Sequence, residues 1–207
     1  EEANADTRLM GMGLATADYD NDGDQDFYFS TAGPMTLLQN QGDGTFADVA
    51  EAVGVQSRDQ IGWGATFFDY DNDGWQDLYL AVSEAAAPGG SANNPLFRND
   101  QTGGFENVSD SSGVNDGGET LGVATADFDR DGRLDILIGN VDDGYHLYRN
   151  QSEAGNYFAI DLVGGGGVNR DAIGSRVRVT TADGQTRMQE VICGTSLGAG
   201  SELSLHF

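Results

Sequence analysis

The chain has 207 residues, of which 38% are hydrophobic and 9% aromatic, and this composition is that of a folded globular protein. Its 34 acidic residues far outnumber its 10 basic ones, so the formal net charge is -24. The charge argues against nucleic acid and anionic membrane surfaces as partners, because both are bound through positive charge. Cations are the partners that this composition favours.

Two further features narrow the class of protein. Cys193 is the only cysteine, which excludes an intrachain disulfide, and its flanking residues predict a strand with a buried thiol. The sequence contains no apolar stretch near 18 residues, so neither a membrane span nor a signal peptide is expected in it.

From the first residues onward, the chain is organised by an internal repeat. Three segments align without gaps over 14 residues. They run from Gly13 to Asp26, from Gly64 to Asp77 and from Gly122 to Asp135. In each segment an aspartate follows the glycine by five positions, an aromatic residue comes next, and a short apolar run follows the last aspartate. Such runs, bounded by Asp and Gly, predict strands, and the chain is therefore predicted to be all-β.

Similarity between the repeats continues downstream of the aspartates. Asn40, Asn99 and Asn150 recur after an apolar residue, and Phe46 and Phe105 each lie six positions after their asparagine. Repeat two carries an insertion, which we place within residues 83–95 and predict to be a surface loop. The three repeats are expected to occupy about residues 9–55, 60–112 and 118–155, within a first domain of residues 1–155.

Residues 156–207 lack the aspartate pattern and are predicted to form a separate β-subdomain. Strands are expected over residues 157–163, 174–182, 185–192 and 202–207, with a four-glycine joint at residues 164–167. The Asp183-Gly184 pair predicts the turn of a hairpin between the second and third of these strands.

Each repeat contains the pattern D-x-D-x-D-G-x-x-D, which indicates a cation-binding loop. Carboxylates at positions 1, 3 and 5, glycine at position 6 and a backbone carbonyl at position 7 follow the logic of the EF-hand calcium loop. Here a carboxylate at position 9 closes the loop and leads directly into a strand. The candidate metal ligands are Asp18, Asp20, Asp22, Asp24 and Asp26; Asp69, Asp71, Asp73, Trp75 and Asp77; and Asp127, Asp129, Asp131, Arg133 and Asp135. Of these, Asp24, Trp75 and Arg133 stand at position 7 and are expected to act through their carbonyl oxygens.

Calcium fits this ligand set best, because it accepts six to eight oxygen ligands in flexible geometry, whereas zinc prefers nitrogen and sulfur. The alternative is that the aspartates only form hairpin turns, in which Asp and Gly are common. A turn does not require four carboxylates at fixed offsets in three places. Three bound Ca2+ ions would add 3 × 2 charges and change the formal charge from -24 to -18.

At these loops the sequence resembles the FG-GAP or VCBS repeats of integrin α-chain propellers and bacterial extracellular proteins. The tail resembles the ASPIC domain of cartilage acidic protein relatives, especially at residues 169–177 and 203–207. The resemblance implies calcium loops between strands of β-propeller blades, in an extracellular structural or adhesive protein. Since closed propellers of this kind have about seven blades, three repeats imply a fragment, an open partial propeller or a smaller sheet assembly, of which we favour an incomplete propeller. Its open strand edges suggest self-association, including growth into a filament.

An enzymatic function is not expected. Gly194 to Gly198 match G-x-S-x-G, but that nucleophile motif needs a strand-turn-helix context which the predicted β-tail does not offer. His146 and His206 lie in strand-like surroundings that favour packing or surface roles. Glycan binding is the stronger alternative, because Trp63, Trp75 and Tyr79 could offer flat apolar faces. The expected partners are thus an extracellular protein, a glycan or further copies of the chain.

Overall fold

The computed structural model describes residues 3–5, 9–57, 60–85, 93–141, 143–153, 155–182 and 184–207. Within these ranges the chain forms fifteen β-strands and one single-turn helix, α1 (Ser109–Ser112). The predicted all-β class is confirmed. The strands are short and antiparallel, as expected for apolar runs that are interrupted every few residues by Asp and Gly.

The repeats fold into three antiparallel sheets with the meander order of propeller blades. The first sheet consists of β1 (Gly11–Ala17), β2 (Asp26–Thr31), β3 (Thr36–Asn40) and β4 (Phe46–Asp48). The second consists of β5 (Gln60–Phe68), β6 (Asp77–Ala85), β7 (Leu96–Asn99) and β8 (Phe105–Asn107). The third has β9 (Thr120–Ala126), β10 (Asp135–Asn140) and β11 (Gly144–Tyr148), in the order β11-β10-β9. It therefore has one strand fewer than the other two.

Consecutive sheets pack face to face and share two apolar cores. Each sheet has one face turned back and one face turned forward in chain order. On the forward face, each sheet carries an equivalent cross-strand pair of large side chains. These pairs are Tyr28 with Leu37, Tyr79 with Leu96, and Leu137 with Leu147. The first two pairs are buried, whereas Leu137 is 42% exposed and Leu147 is 51% exposed. The difference arises because the next sheet covers the first two faces, while the face of the third sheet is open to solvent in the part of the chain that is described.

Glycines allow the first strands of the three sheets to approach each other closely. A Cβ atom on Gly13 would clash with the backbone carbonyl of Trp63, and one on Gly64 would lie 2.9 Å from the carbonyl oxygen of Leu121. At Gly122 the corresponding neighbour is the carbonyl oxygen of Leu197, at 3.8 Å. Close backbone packing therefore explains Gly13 and Gly64, whereas at Gly122 a tail residue at ordinary van der Waals distance takes the place of the next repeat.

The tail contains four strands, which are β12 (Ala159–Ile160), β13 (Arg176–Thr180), β14 (Thr186–Glu190) and β15 (Leu205–His206). Strands β13 and β14 pair as the predicted hairpin, although Asp183 of its turn lies outside the described residues. The strands expected over residues 157–163 and 202–207 are confined to two residues each, and they pair with one another. The prediction for Cys193 is wrong, because this residue is exposed and lies outside the strands.

The tail segment that connects β14 to β15 lies in space between strands β1 and β9. The amide of Ser196 donates to the carbonyl oxygen of Leu14 at 3.0 Å, and the hydroxyl of Ser196 accepts from the amide of Val123 at 3.2 Å. Further along, the amide of Glu202 donates to the carbonyl oxygen of Thr125 at 3.1 Å. This segment joins the inner edges of the first and third sheets and so substitutes for a further inner strand.

The insertion in repeat two is only partly a surface loop. Ser83 belongs to β6 and is buried, and residues 86–92 lie outside the described residues. Asn94 is also buried; its side chain accepts from the amide of Val82 at 2.8 Å and donates to the hydroxyl of Thr120 at 2.8 Å. Both ends of the insertion are therefore anchored in the sheets, and the prediction of a surface loop was wrong for them.

Candidate metal centres

The three aspartate loops occupy equivalent places in the three sheets. Each begins directly after the first strand of its sheet, with Asp18, Asp69 or Asp127, and ends where the second strand begins, at Asp26, Asp77 or Asp135. The sequence prediction of a loop between two strands is confirmed for all three. We call them loop 1, loop 2 and loop 3, and number their residues from position 1 to position 9.

Two positions in each loop have a left-handed backbone. Glycine at position 6 has φ values of 95°, 88° and 87° in Gly23, Gly74 and Gly132. Position 4 also has positive φ, at 57° in Asn21, 54° in Asn72 and 61° in Arg130. Glycine adopts this conformation without a steric penalty, and asparagine tolerates it better than most residues. The sharp bend that gathers the carboxylates is thus encoded locally.

The first and last aspartates are held by recurring hydrogen bonds to backbone amides. At position 1, Oδ2 of Asp18, Asp69 and Asp127 accepts from the amide of the position 6 glycine at 3.0, 2.7 and 2.9 Å. At position 9, Oδ2 accepts from the amide of position 2, and Oδ1 accepts from the amide of Asn40, Asn99 or Asn150 at 2.8, 2.8 and 2.7 Å. The side chains of the same asparagines donate to the carbonyl oxygen of position 8 at 3.4, 3.2 and 3.1 Å, which accounts for the recurrence of asparagine.

Each loop brings at least three carboxylates together. Carboxylate oxygens of Asp18, Asp20 and Asp22 lie within 4.8 Å of one another, as do those of Asp69, Asp71 and Asp77, and those of Asp127, Asp129 and Asp135. Positions 1 and 3 take part in all three clusters, whereas loop 1 adds position 5 and loops 2 and 3 add position 9. The carboxylates of Asp26, Asp73 and Asp131 lie outside these clusters. Asp24, Trp75 and Arg133 were proposed only as carbonyl ligands, and their side chains take no part in the clusters either.

Burial makes the ionised form of these carboxylates unfavourable. It raises the pKa of Asp18 and of Asp69 to about 7, with neighbouring aspartates adding to the shift and backbone hydrogen bonds opposing it. Burial likewise raises the pKa of Asp26 to about 8, and the pKa of Asp77 lies well above its ordinary value for the same reason. Because buried carboxylates crowd together in loops 1 and 2, these two loops are places where a positive charge is stabilised.

Loop 3 already contains positive side chains. Arg149 contacts Oδ2 of Asp129 at 2.5 Å and Oδ2 of Asp131 at 3.0 Å, and Arg133 also bonds to Asp131. Although burial opposes it, the hydrogen bonds from Arg133 and Arg149 hold the pKa of Asp131 below its ordinary value. Loops 1 and 2 have neutral glutamines instead, since Gln39 donates to Asp20 at 2.6 Å and Gln101 donates to Asp73 at 2.7 Å. Loop 3 therefore has the weakest excess of negative charge.

The residues present fit a hard divalent cation. Oδ1 of Asp18 is buried and has no hydrogen-bond donor among the described residues, and the same holds for Oδ1 of Asp71. Both atoms belong to side chains that take part in the clusters. A buried carboxylate oxygen without a partner is costly unless a cation satisfies it. Calcium is the cation that clusters of oxygen ligands in flexible loops accommodate best.

The loops are also tied to one another. At position 4, the side-chain amide of Asn21 donates to the carbonyl oxygen of Gly74 at 3.3 Å, and that of Asn72 donates to the carbonyl oxygen of Gly132 at 2.8 Å. In the opposite direction, the side-chain amide of Asn99 donates to the carbonyl oxygen of Tyr19 at 2.8 Å. Asn150 makes the equivalent bond to the carbonyl oxygen of Tyr70 at 2.6 Å. Each loop is thus held by groups from the neighbouring repeats.

The tail also reaches the loops, which the sequence did not predict. Arg178 donates to the carbonyl oxygen of Gly23 at 3.2 Å, and Arg187 donates to that of Gly74 at 2.8 Å. At loop 3, the ring of Tyr157 packs directly against Gly132. All three position 6 glycines therefore contact a side chain of the tail. No sequence pattern relates these tail residues to the loops, so the contacts could be identified only from the tertiary structure.

Residues considered for catalysis or glycan binding have other roles in the structure. Ser196 of the G-x-S-x-G match is wedged between β1 and β9. His206 is buried and lies 2.9 Å from Glu202, while His146 bonds to Asp116 at 2.6 Å. Tyr79 is completely buried, so its proposed role as a glycan-facing surface is wrong. Trp63 is partly buried and donates to the hydroxyl of Ser83 at 2.6 Å.

In the described ranges we find no helix that is both long and apolar enough to cross a bilayer.

Together, the blade-like sheets and the acidic loop in every repeat define a propeller-type repeat protein. The family model for the FG-GAP-like repeat matches residues 11–80 and 83–138, and that for ASPIC and UnbV matches residues 165–207. This chain belongs to the FG-GAP-like repeat family and carries an ASPIC and UnbV segment after the repeats. The resemblance found in the sequence is therefore confirmed.

Curated relatives with significant similarity are cartilage acidic proteins. The chain is 28% identical over 193 residues to cartilage acidic protein 1 of Xenopus tropicalis, covering 88% of this chain and 28% of the relative. It is 33% identical over 125 residues to the Homo sapiens protein, covering 58% of this chain and 17% of the relative. The chain thus spans less than a third of the length of these relatives.

Among solved structures, the chain is similar to a lectin from Agrocybe aegerita described as recognising non-reducing terminal N-acetylglucosamine. The match has a TM-score of 0.28 and 16% identity, and it covers 91% of this chain and 68% of the lectin chain. A similarity of this size supports no conclusion about the ligand of this chain.

Proposed function

We propose that this chain is an extracellular repeat protein whose three loops bind calcium, and that it has a structural or adhesive role rather than an enzymatic one. The observation that carries this proposal is the same in all three sheets: one bend between two strands gathers at least three carboxylates. In loop 1 a buried oxygen of Asp18 is left without a donor. The predicted ligands are the fifteen residues of positions 1, 3, 5, 7 and 9.

Calcium has a structural role in this proposal. An ion in each loop would offset the repulsion among carboxylates and hold the bend from which two strands extend. Extracellular calcium modules bind with dissociation constants of about 0.1 to 1 mM, and calcium at that concentration is available outside the cell. The surface would remain acidic after three ions are bound, which suits a soluble secreted protein.

Calcium binding is tested by equilibrium dialysis with elemental analysis, combined with thermal unfolding in calcium and in chelator. We expect about three ions per chain and a higher melting temperature in calcium. Free calcium at a hundredfold excess over each dissociation constant would add about 2.7 kcal/mol per site to the free energy of unfolding. Magnesium at equal ionic strength is the control. The proposal is wrong if millimolar calcium neither binds nor changes the melting temperature.

The absence of enzymatic activity is proposed on the placement of the candidate catalytic groups. Ser196 uses its hydroxyl to accept a backbone hydrogen bond, and its backbone joins two sheets, so it is committed to packing. His146 lies 2.6 Å from Asp116, and His206 lies 2.9 Å from Glu202. Each imidazole is therefore already paired with a neighbouring carboxylate. A screen of esterase substrates with the intact chain and with Ser196→Ala tests this point, and activity that depends on Ser196 would contradict it.

Self-association is a second candidate property, favoured by the open face of the third sheet. Leu137 and Leu147 are exposed there, although the equivalent pairs in the other sheets are covered. A second copy could cover this face and continue the series of sheets head to tail. Sedimentation velocity over a range of concentrations tests this, with Leu147→Ser expected to dissociate the assembly. Val163→Ser is a suitable control, because Val163 is even more exposed and belongs to the tail, not to the third sheet.

A further inference from the structure

The first two sheets end with a fourth strand that begins with phenylalanine, and the third sheet lacks it. Phe46 begins β4 and Phe105 begins β8. The nearest counterpart after the third sheet is Phe158, which is 45% exposed and stacks on Phe207 at 5.6 Å. The strand that follows Phe158, β12, pairs with β15 instead of β11. Within the described ranges, β11 is paired only on the side of β10.

In the second sheet, the fourth strand fills a space between two repeats. The ring of Phe105 packs against the ring of Tyr19 in loop 1 at 5.6 Å. The amide of Phe105 donates to the carbonyl oxygen of Val53 at 2.9 Å. One residue further, Glu106 accepts from Arg98 of the neighbouring strand at 2.9 Å. An aromatic ring, a backbone bond and an ion pair therefore fix this strand.

The corresponding space beside the third sheet is an open groove with a volume of about 570 Å³. Its lining repeats the surroundings of Phe105. Tyr70 of loop 2 corresponds to Tyr19 of loop 1, and the turn from Val108 to Val114 corresponds to that from Val49 to Val55. Both turns start with a valine amide bonded at 2.9 Å to the equivalent leucine carbonyl, Leu37 or Leu96. The groove is thus a preformed place for an aromatic side chain.

We propose that this groove and the free edge of β11 bind an extended peptide. Four consecutive residues of this peptide would carry an aromatic, an acidic, an amide and an aliphatic side chain, in that order. This is the chemistry of β8 and the residue after it, which read Phe105-Glu106-Asn107-Val108. In the same register as β8 on β7, the acidic residue would face Arg149, as Glu106 faces Arg98. The peptide amide at the aromatic residue would donate to the carbonyl oxygen of Ser112, which stands where Val53 stands in the first repeat.

The occupant is a separate peptide segment that adds a strand to a sheet edge, a known mode of recognition in which backbone bonds supply affinity and side-chain pockets supply specificity. Arg149 supplies charge complementarity to an acidic residue, because half of its side chain remains exposed beside its contacts to Asp129 and Asp131 of loop 3. The groove does not include the carboxylate clusters of the loops. Arg149 also contacts Asp129 and Asp131, so the groove is coupled to loop 3 through this one side chain, whereas the place for the aromatic ring and the free edge of β11 are not built from the clustered carboxylates.

The first test is a titration of the intact chain, in calcium buffer, with fluorescein-labelled Gly-Gly-Phe-Glu-Asn-Val-Ser-Asp, the sequence of residues 103–110. We expect saturable binding of one peptide per chain by fluorescence anisotropy. The same peptide with Phe105→Ala should bind at least about tenfold more weakly, because it cannot bury the ring. Binding that is absent up to about 1 mM peptide, or that is equally strong for both peptides, would overturn the proposal.

The second test fills the groove. Ser111→Trp places a large ring at an exposed residue of the groove wall and should weaken peptide binding at least about tenfold. Ala52→Trp is the matched control, since Ala52 is exposed and stands three residues after Val49, as Ser111 stands after Val108. Both variants are first checked by thermal unfolding. If the unmodified chain forms an oligomer that Ser111→Trp dissociates, the groove belongs to a second copy and the peptide assignment is wrong.

Discussion

The side-chain amide of Asn72 donates a hydrogen bond to the carbonyl oxygen of Gly132 at 2.8 Å, which ties loop 2 to loop 3. Both residues have positive φ and stand at the bends that gather the carboxylates. The equivalent bond from Asn21 to Gly74 is longer, at 3.3 Å. The loops therefore form a connected row in which the geometry of one loop depends on its neighbour.

We expect Asn72→Gly to reduce the free energy of unfolding by about 1 kcal/mol, the usual contribution of one hydrogen bond. Glycine retains the left-handed backbone, so the change removes the amide without introducing strain. Thermal unfolding in calcium measures the loss. Asn21→Gly is the matched control and should cost less, because its bond is longer. Equal losses in both variants would contradict a role for the bond itself.

Asp71→Asn distinguishes a calcium loop from a plain turn, because the change in melting temperature should have opposite signs in chelator and in calcium. Burial, followed by repulsion from Asp73, raises the pKa of Asp71, so removing its charge should raise the melting temperature in chelator. In calcium the same variant loses a ligand, and we expect the melting temperature to fall relative to the unmodified chain. Elemental analysis should show the bound calcium falling from about three to about two ions. An increase in melting temperature under both conditions would favour the plain turn.

Gly64→Ala tests the close packing of the first strands. The added Cβ would lie against the hydroxyl of Ser196 and 2.9 Å from the carbonyl oxygen of Leu121. We expect a loss of about 1 to 3 kcal/mol in the free energy of unfolding, as for other overpacked sites. Gly122→Ala is the control, because a Cβ atom there would lie 3.8 Å from its nearest neighbour, the carbonyl oxygen of Leu197. Similar stability of the two variants, measured by chemical denaturation, would contradict the close approach of Gly64 in β5 to Leu121 in β9.

His146 should make the stability of the third sheet depend on pH. Its Nδ1 lies 2.6 Å from Asp116, its Nε2 lies 3.4 Å from Asp143, and Tyr148 donates to Asp116 at 2.6 Å. The hydrogen bond to Asp116 raises the pKa of His146. Although burial opposes it, the bonds from Tyr148 and His146 lower the pKa of Asp116. The ion pair therefore requires protonated His146 and ionised Asp116.

The sign of the pH effect follows from these two shifts. A raised pKa means that protonated His146 stabilises the folded state fully below its ordinary pKa of 6.5, and this contribution is lost as pH rises through the raised value. Asp116 contributes above its ordinary pKa of 3.8 and loses its contribution as pH falls through the lowered value. His146→Ala should thus lower the melting temperature more at about pH 5.5 than at about pH 9. Tyr148→Phe removes a bond to the same carboxylate, and its effect should be equal at both pH values.

The aspartate loops could be predicted because their structure is encoded over nine consecutive residues. Glycine at position 6 permits the bend, the carboxylates at positions 1 and 3 meet across it, and the apolar residues on both sides form the strands. Asn40, Asn99 and Asn150 were visible as a repeat, although their hydrogen bonds to position 9 were not. The prediction for Cys193 failed because neighbouring apolar residues were taken for a strand, whereas this part of the tail is irregular.

The sequence by itself determined the all-β class, the number of repeats and the place of each carboxylate loop, since these depend on backbone preferences and spacing within short segments. Only the tertiary structure decided which strands lack a partner and where the tail lies. Arg187 bonds to Gly74 across 113 residues of sequence, and β12 pairs with β15 although Phe158, the residue before β12, resembles the phenylalanines that begin β4 and β8. Such long-range pairings depend on the complementarity of surfaces that form only when the sheets have folded. Local sequence carries little information about this complementarity.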